Sequence, residues 1–356
     1  MLYVFKINFK ALPALMVFLL CLPPSLALAE NIDYPGTGLI TVNGNLGSLA
    51  PSGSESGKSN SLSDNTVTVS EGPDIKNVYG AVNVSDDESI DNNQVIVIAP
   101  DSMRISIVYG GYGQNASVND SNVTIKGVTV GQIIGGFSYR DDVLRNNVVI
   151  EAGTKVTGKV YGGYSNFGNV SYNSVIFYAA GNSQEIIGGW SGSGKVSYNN
   201  VIIDGAASLQ GVLGGLTDVG AVSYNNVSIG GGAIVDYVYG GESKDGFVGY
   251  NTVYIGGGAK VKYEVFGGLS RQNDANYNTV IVNGQATVEM EIYGGSSQDG
   301  GGANHNTVII DGWATVKFAI AGGWSRYSNS NYNNVWIGDV DFTDNGDKQI
   351  LGGFSW

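Results

Sequence analysis

The sequence predicts an all-β protein, a parallel β-solenoid (β-helix) of about eleven coils of 25–30 residues. Three observations predict it: a unit that recurs, apolar and polar residues that alternate inside the unit, and turn residues at fixed phases. The unit is plainest from Tyr198 to Gly215, YNNVIIDGAASLQGVLGG. It returns at Tyr224 (YNNVSIGGGAIVDYVYGG) and at Tyr250 (YNTVYIGGGAKVKYEVFGG).

Two anchors fix the period. One is an Asn two residues before a Val/Ile triplet, from Asn65 through Asn225 to Asn333, with Ser121 in its place once; its steps are 25 to 28 residues. The other is the leading Gly of a doublet, from Gly80 through Gly240 to Gly352, with steps of 25 to 30 residues. Both count eleven copies, so the array covers residues 65–356.

Each copy holds three short apolar pieces, for example Val253-Tyr254-Ile255, Ala259-Lys260-Val261 and Val265-Phe266. The first two alternate with period two, the mark of a half-buried strand. Turn signals separate the pieces: Gly256-Gly257-Gly258 after the first, Gly267-Gly268 after the last, and a variable polar segment such as Ser270 to Asn276. The copy therefore reads as three strands and three corners. Hairpins would need regular two-residue turns, and a propeller blade needs four strands and about 40 residues. One turn of a solenoid fits, each coil stacked about 4.8 Å above the last, giving a rod on the order of 50 Å long.

A single coil offers few inward aliphatic side chains, such as Val201, Ile203, Leu209 and Val212, too few to offset the entropy of ordering it. Stability must come from stacking. The position two residues before the leading Gly is Val or Ile in all eleven copies, Val78 to Ile350, and is assigned to the core. The repeated Asn is expected to form a buried column in which each amide donates to the next coil.

Composition agrees with this. The 356 residues include 55 Gly yet are 42% hydrophobic and only 14% charged, and the Gly falls at fixed phases of a long repeat rather than every third residue. Residues 1–29 have the form of a secretory signal: Lys6 and Lys10, an apolar run from Ala11 to Leu22, and Ala27-Leu28-Ala29 at the cleavage site. The one Cys, Cys21, lies inside it, so the mature chain has no disulfide. Residues 30–64 form a Gly/Ser-rich lead-in with one apolar patch, Gly38-Leu39-Ile40-Thr41-Val42, read as a cap strand. The formal charge is 18 − 31 = −13, and −15 once the two signal lysines are removed. That acidity argues against nucleic acid and anionic membrane as partners, and no further apolar run approaches a membrane span.

The pattern N-x-V-x-I followed by V-Y-G-G-x-S, as in Val160-Tyr161-Gly162-Gly163-Tyr164-Ser165 and Val238-Tyr239-Gly240-Gly241, resembles the passenger repeats of bacterial autotransporter adhesins over residues 65–356. The resemblance implies a right-handed parallel β-helix, exported across the inner membrane and displayed at, or secreted from, the surface of a Gram-negative cell. It implies adhesion or aggregation, with cell-surface glycans or proteins of a host or a neighbouring bacterium, or a second copy, as partners. Family members end in a translocating barrel, whereas Phe354-Ser355-Trp356 matches the repeat phase of Trp324-Ser325-Arg326, so a truncated passenger is expected.

Catalytic chemistry is thinly supplied. His305, the one histidine, occupies the slot held by Tyr172, Tyr198, Tyr224, Tyr250, Tyr277 and Tyr332, which makes it a repeat residue. No G-x-S-x-G elbow is present, and a zinc site lacks ligands. Two acidic clusters, Asp86/Asp87/Glu88/Asp91 and Asp339/Asp341/Asp344/Asp347, read as solvated loops, with calcium as the alternative at the second, whose spacing departs from the helix-loop-helix calcium motif. No catalytic, cofactor or metal residue is therefore assigned. The six tyrosines are the candidate binding surface, the other reading being that they stack to stabilise the corner, and the aromatics after the Gly doublet, Tyr112, Phe137, Tyr164 and Trp190, give way to Glu242 and Ser296, which marks a second, exposed face. The alternative is a carbohydrate-active β-helix enzyme, glycosidase or lyase, which a set of carboxylates gathered in a groove would favour over a smooth rod.

Overall fold

The structure is a computed structural model that describes residues 40–43, 62–70, 74–84, 88–341 and 349–355. The expected signal, most of the lead-in, and Asp86, Asp87, Asp344 and Asp347 lie outside the described residues.

The chain winds as a β-solenoid whose described strands all pair in parallel, coil upon coil, in three sheets of 18, 11 and 8 strands. The eleven-stranded sheet takes one strand from each coil, from Thr66–Val69 to Asn334–Ile337, so the repeat count read from the Asn anchor is the rung count. Register is kept residue for residue: Asn200 pairs with Asn226, Val201 with Val227 and Ile203 with Ile229. Alternation sends Val201 and Ile203 inward, where the branched side chains stack on their counterparts and are buried. No helix among the described residues is long and apolar enough to cross a membrane. The apolar patch of the lead-in contains a strand, Ile40–Asn43, that pairs in parallel with Ile75–Tyr79.

The position two before the leading Gly is buried in ten coils, Val78 to Ile320, as expected; Ile350, in the last rung described, is 46% exposed. The Asn column is also where the sequence put it. Asn173 Nδ2 and its backbone N–H each donate to Asn199 Oδ1 at 3.0 Å, and Nδ2 donates again to Val143 O at 3.0 Å. Each Asn amide inside the column thus ties together the coils on either side, and the coil of Ser121 has none.

Two details differ from the sequence reading. The Gly doublet is not a turn, because the strand Ala207–Thr217 runs through Gly214-Gly215. A Cβ on Gly214 would stand 2.4 Å from Gly240 O and 2.9 Å from Asn225 Cβ, and one on Gly215 2.8 Å from Asn225 Nδ2. Both glycines face inward onto the Asn column, and only the absence of a side chain admits them. Two successive inward residues bend the strand, and the rung ladder skips the first of them, pairing Leu213 with Tyr239 and Gly215 with Gly241. Second, the variable polar segment contains a two-residue strand of its own, such as Val222–Ser223, and these strands build the eight-stranded sheet.

Candidate functional site

The six predicted tyrosines lie together. Each sits immediately before the ladder Asn, at the sharp corner between the eight- and eleven-stranded sheets, and each has a left-handed backbone, with φ between 56° at Tyr332 and 60° at Tyr172. That conformation is costly for a bulky side chain; of the four earlier coils three fill the slot with Asp64, Asn92 and Asp120, residue types that tolerate it better, and the fourth with Arg145. From Tyr172 onward the corner carries rings instead, stacked face to face at 4.8 Å (Tyr172–Tyr198), 4.9 Å (Tyr198–Tyr224), 4.8 Å (Tyr224–Tyr250) and 4.8 Å (Tyr250–Tyr277). His305 continues the stack at 4.7 Å from Tyr277 and 4.9 Å from Tyr332. Its ring is a member of the column, as its repeat phase indicated.

The stacking limits what this column can bind. Sugar rings bind to the face of an aromatic ring, and here each internal face is covered by the next ring along the rod. What faces solvent is a strip of ring edges and phenol groups, 41% exposed at Tyr250 and 79% at Tyr332.

A second aromatic strip was only half legible. The residues on either side of the Gly doublet, such as Tyr161 and Tyr164, both lie on the outer face, and their rings meet edge to face at 5.2 Å. Residues three apart on a flat strand would point to opposite sides. The Gly bend turns both outward and folds the outer face toward itself, making a seam along the rod. It contains Tyr109, Ile134, Tyr161, Ile187, Leu213, Tyr239 and Phe266 on one side, and Phe137, Tyr164, Trp190, Leu216 and Leu269 on the other. The post-doublet aromatics are therefore not an exposed face as expected: Tyr112, Phe137, Tyr164 and Trp190 are half-buried and stacked at 4.8, 5.2 and 4.3 Å.

Carboxylates border this seam. Glu185 accepts a hydrogen bond from the Tyr237 hydroxyl and pairs with Lys159 at 2.6 Å. Tyr237 reaches it from two coils away because its ring lies over Gly211, where a Cβ would meet the ring at 2.3 Å. The Tyr239 hydroxyl donates to Glu264, and Glu264 stands directly opposite Glu291 on the next rung. Glu242 pairs with Arg271 at 3.1 Å. Burial pushes the Glu242 carboxyl above its usual range, against the lowering effect of Arg271. Burial likewise raises the Tyr109 hydroxyl to about 12 and holds those of Tyr161, Tyr237, Tyr239 and Tyr293 higher still. The sequence reading reached Glu242 only as a break in the aromatic row, and missed Glu185, Glu264 and Glu291 because they are scattered singly. The signal was phase: Glu185, Glu264 and Glu291 each stand three residues before a leading Gly, and Glu242 two after one.

No family model, curated protein or solved structure matches the chain. The site must therefore be judged on its own chemistry. Among the described residues no group of three or more His, Cys, Asp or Glu side chains is placed to hold a metal ion. Asp91 accepts from Asn119 Nδ2 at 2.8 Å, and Asp339 N–H donates to Asp311 Oδ1 at 3.1 Å, so these two members of the acidic clusters take part in links between coils. A shallow depression of about 380 Å³, lined by Gly131, Gly158, Lys159 and Gln184, lies on the same sheet as the seam.

Proposed function

We propose that the protein is an exported, non-enzymatic rod of the adhesin type, which holds cell-surface glycans or proteins, or another copy of itself, along its length. The observation that carries this reading is the uninterrupted stack of seven rings from Tyr172 to Tyr332, exposed and in register over seven coils. Such a strip suits an extended partner contacted many times weakly, since each coil repeats the same edge and hydroxyl chemistry. The signal-like first 29 residues and the likeness to autotransporter passengers support delivery to the outside of a Gram-negative cell.

The test is adhesion of the purified protein to bacterial and host cells, and its own aggregation, with Tyr198, Tyr224 and Tyr250 all changed to Asn. Asn tolerates the left-handed corner, so the fold is kept. Loss of adhesion or aggregation with an unchanged circular dichroism spectrum supports the reading; full retention of both overturns it.

The carbohydrate-active reading is favoured by one observation, the carboxylates along the aromatic seam. In that reading Glu242, its carboxyl raised by burial, is the proton donor to a glycosidic oxygen. Release of reducing ends from a neutral polysaccharide, abolished by Glu242→Gln, would replace the adhesin reading with this one.

A further inference from the structure

We infer that the tyrosine stack is a site of oxidative cross-linking, at which a peroxidase and hydrogen peroxide join neighbouring coils through dityrosine bonds. The inference rests on the ring geometry and is independent of the adhesin reading.

Five phenols, Tyr172, Tyr198, Tyr224, Tyr250 and Tyr277, form a run whose consecutive rings are 4.8–4.9 Å apart and within 7° of parallel. All five are exposed, from 41% at Tyr250 to 56% at Tyr172, so a one-electron oxidant can reach them. The exposed tyrosines Tyr178, Tyr254 and Tyr263 have no such partner among the described residues, and Tyr139 meets only the edge of Phe167. Proximity decides the product. A phenoxyl radical formed in the run has a second phenol held beside it by the ladder, at an effective concentration no separate molecule matches.

The chemistry balances. The peroxidase removes one electron and one proton from each of two phenols, breaking two O–H bonds. Each radical carries spin on the ring carbons ortho to oxygen, and two such carbons join in one new C–C bond. Each of those carbons then loses its hydrogen as a proton while the oxygen regains one, which restores both phenols. In sum two C–H bonds are exchanged for one C–C bond, and the two electrons and two protons reduce hydrogen peroxide to two waters. The product fastens coils 26 or 27 residues apart in the chain.

His305 sets the limit of the run. It keeps the stack continuous but has no phenol, so Tyr332, two stacking steps from Tyr277, is left out.

The experiment treats the purified protein with horseradish peroxidase and hydrogen peroxide, then follows dityrosine fluorescence, size and linked peptides by mass spectrometry. The expected product is a fluorescent monomer, two hydrogen atoms lighter per link, with links between neighbours of the five-tyrosine run and none from Tyr178, Tyr254 or Tyr263. Tyr224→Phe keeps the ring and the fold but removes the phenol, and should eliminate the Tyr198–Tyr224 and Tyr224–Tyr250 links. Tyr254→Phe should change nothing. His305→Tyr should add links from position 305 to Tyr277 and Tyr332. Links solely between molecules, links distributed over Tyr178, Tyr254 and Tyr263, or no link at all would each overturn the inference.

Discussion

Asn225 donates twice to one atom of Asn251: its backbone N–H lies 3.0 Å and its side-chain Nδ2 2.9 Å from Asn251 Oδ1. The other Nδ2 hydrogen goes down the rod to Val196 O at 3.2 Å. Removing this amide takes away the acceptor shared by the backbone and side-chain N–H groups of Asn199 and the donor to Val196 O. Asn225→Ala should therefore cost about 1–3 kcal/mol, while Asn115→Ala, outside the column, should cost almost nothing. Coincident urea midpoints for the two variants would contradict the ladder.

The column has one natural gap. Ser121 receives the rung above through its N–H, 2.9 Å from Asn146 Oδ1, but has no amide to offer Asn93 below. Ser121→Asn should restore the missing rung and raise stability by about 1 kcal/mol, read as a higher thermal midpoint. A lower midpoint would mean that the Gly110-Gly111 bend has closed around the smaller residue.

The Gly doublet gives a sharper contrast. A Cβ on Gly240 would lie 2.3 Å from Gly267 O and 3.0 Å from Asn251 Cβ, whereas one on Gly258 meets nothing within 4 Å and bears only its φ of +72°. Gly240→Ala should cost about 3 kcal/mol or more, and Gly258→Ala about 1 kcal/mol. Denaturant titration of the pair decides it.

How far the sequence spoke depended on whether a feature repeats. Asn225, Val227 and Ile229 recur at one phase in neighbouring coils, and stacking them in register leaves little freedom, so the solenoid, its core and its ladder could all be read. The seam could not, because it depends on a bend. Tyr161 and Tyr164 are three apart, and alternation assigns them to opposite faces until two inward glycines are known to lie in mid-strand. Glu185 and Tyr237 escaped for another reason: they meet across two coils over a glycine, a contact that no single repeat contains.

Glu242 makes the seam's chemistry measurable by pH. Its folded pKa lies above the unfolded value, so the native state holds the proton more tightly. Its contribution to stability is present below the unfolded pKa and lost as pH rises through the raised one. Glu242→Gln imitates the protonated form. It should be more stable than the unaltered protein at neutral pH and lose that advantage as the pH falls below about 4, where the carboxyl becomes protonated in both states. A variant less stable at neutral pH would show that the Arg271 pair outweighs burial.

The last prediction separates the two roles of the ring column. Tyr224 is held at φ 59°, and its ring stacks on Tyr198 at 4.9 Å and Tyr250 at 4.8 Å. A left-handed backbone costs a residue with a Cβ about 1–2 kcal/mol, and each ring contact returns about 0.5–1.5 kcal/mol. Tyr224→Ala loses both contacts and keeps the strain. Tyr224→Gly loses the same contacts but relieves the strain, so it should be the more stable of the two by about 1 kcal/mol, although both fall below the unaltered protein. Tyr224→Phe, with ring and backbone unchanged, should match it. If Ala proves as stable as Gly, the corner has relaxed out of the left-handed region once the ring is gone. The stack would then be what holds the backbone in place, rather than the backbone presenting the stack.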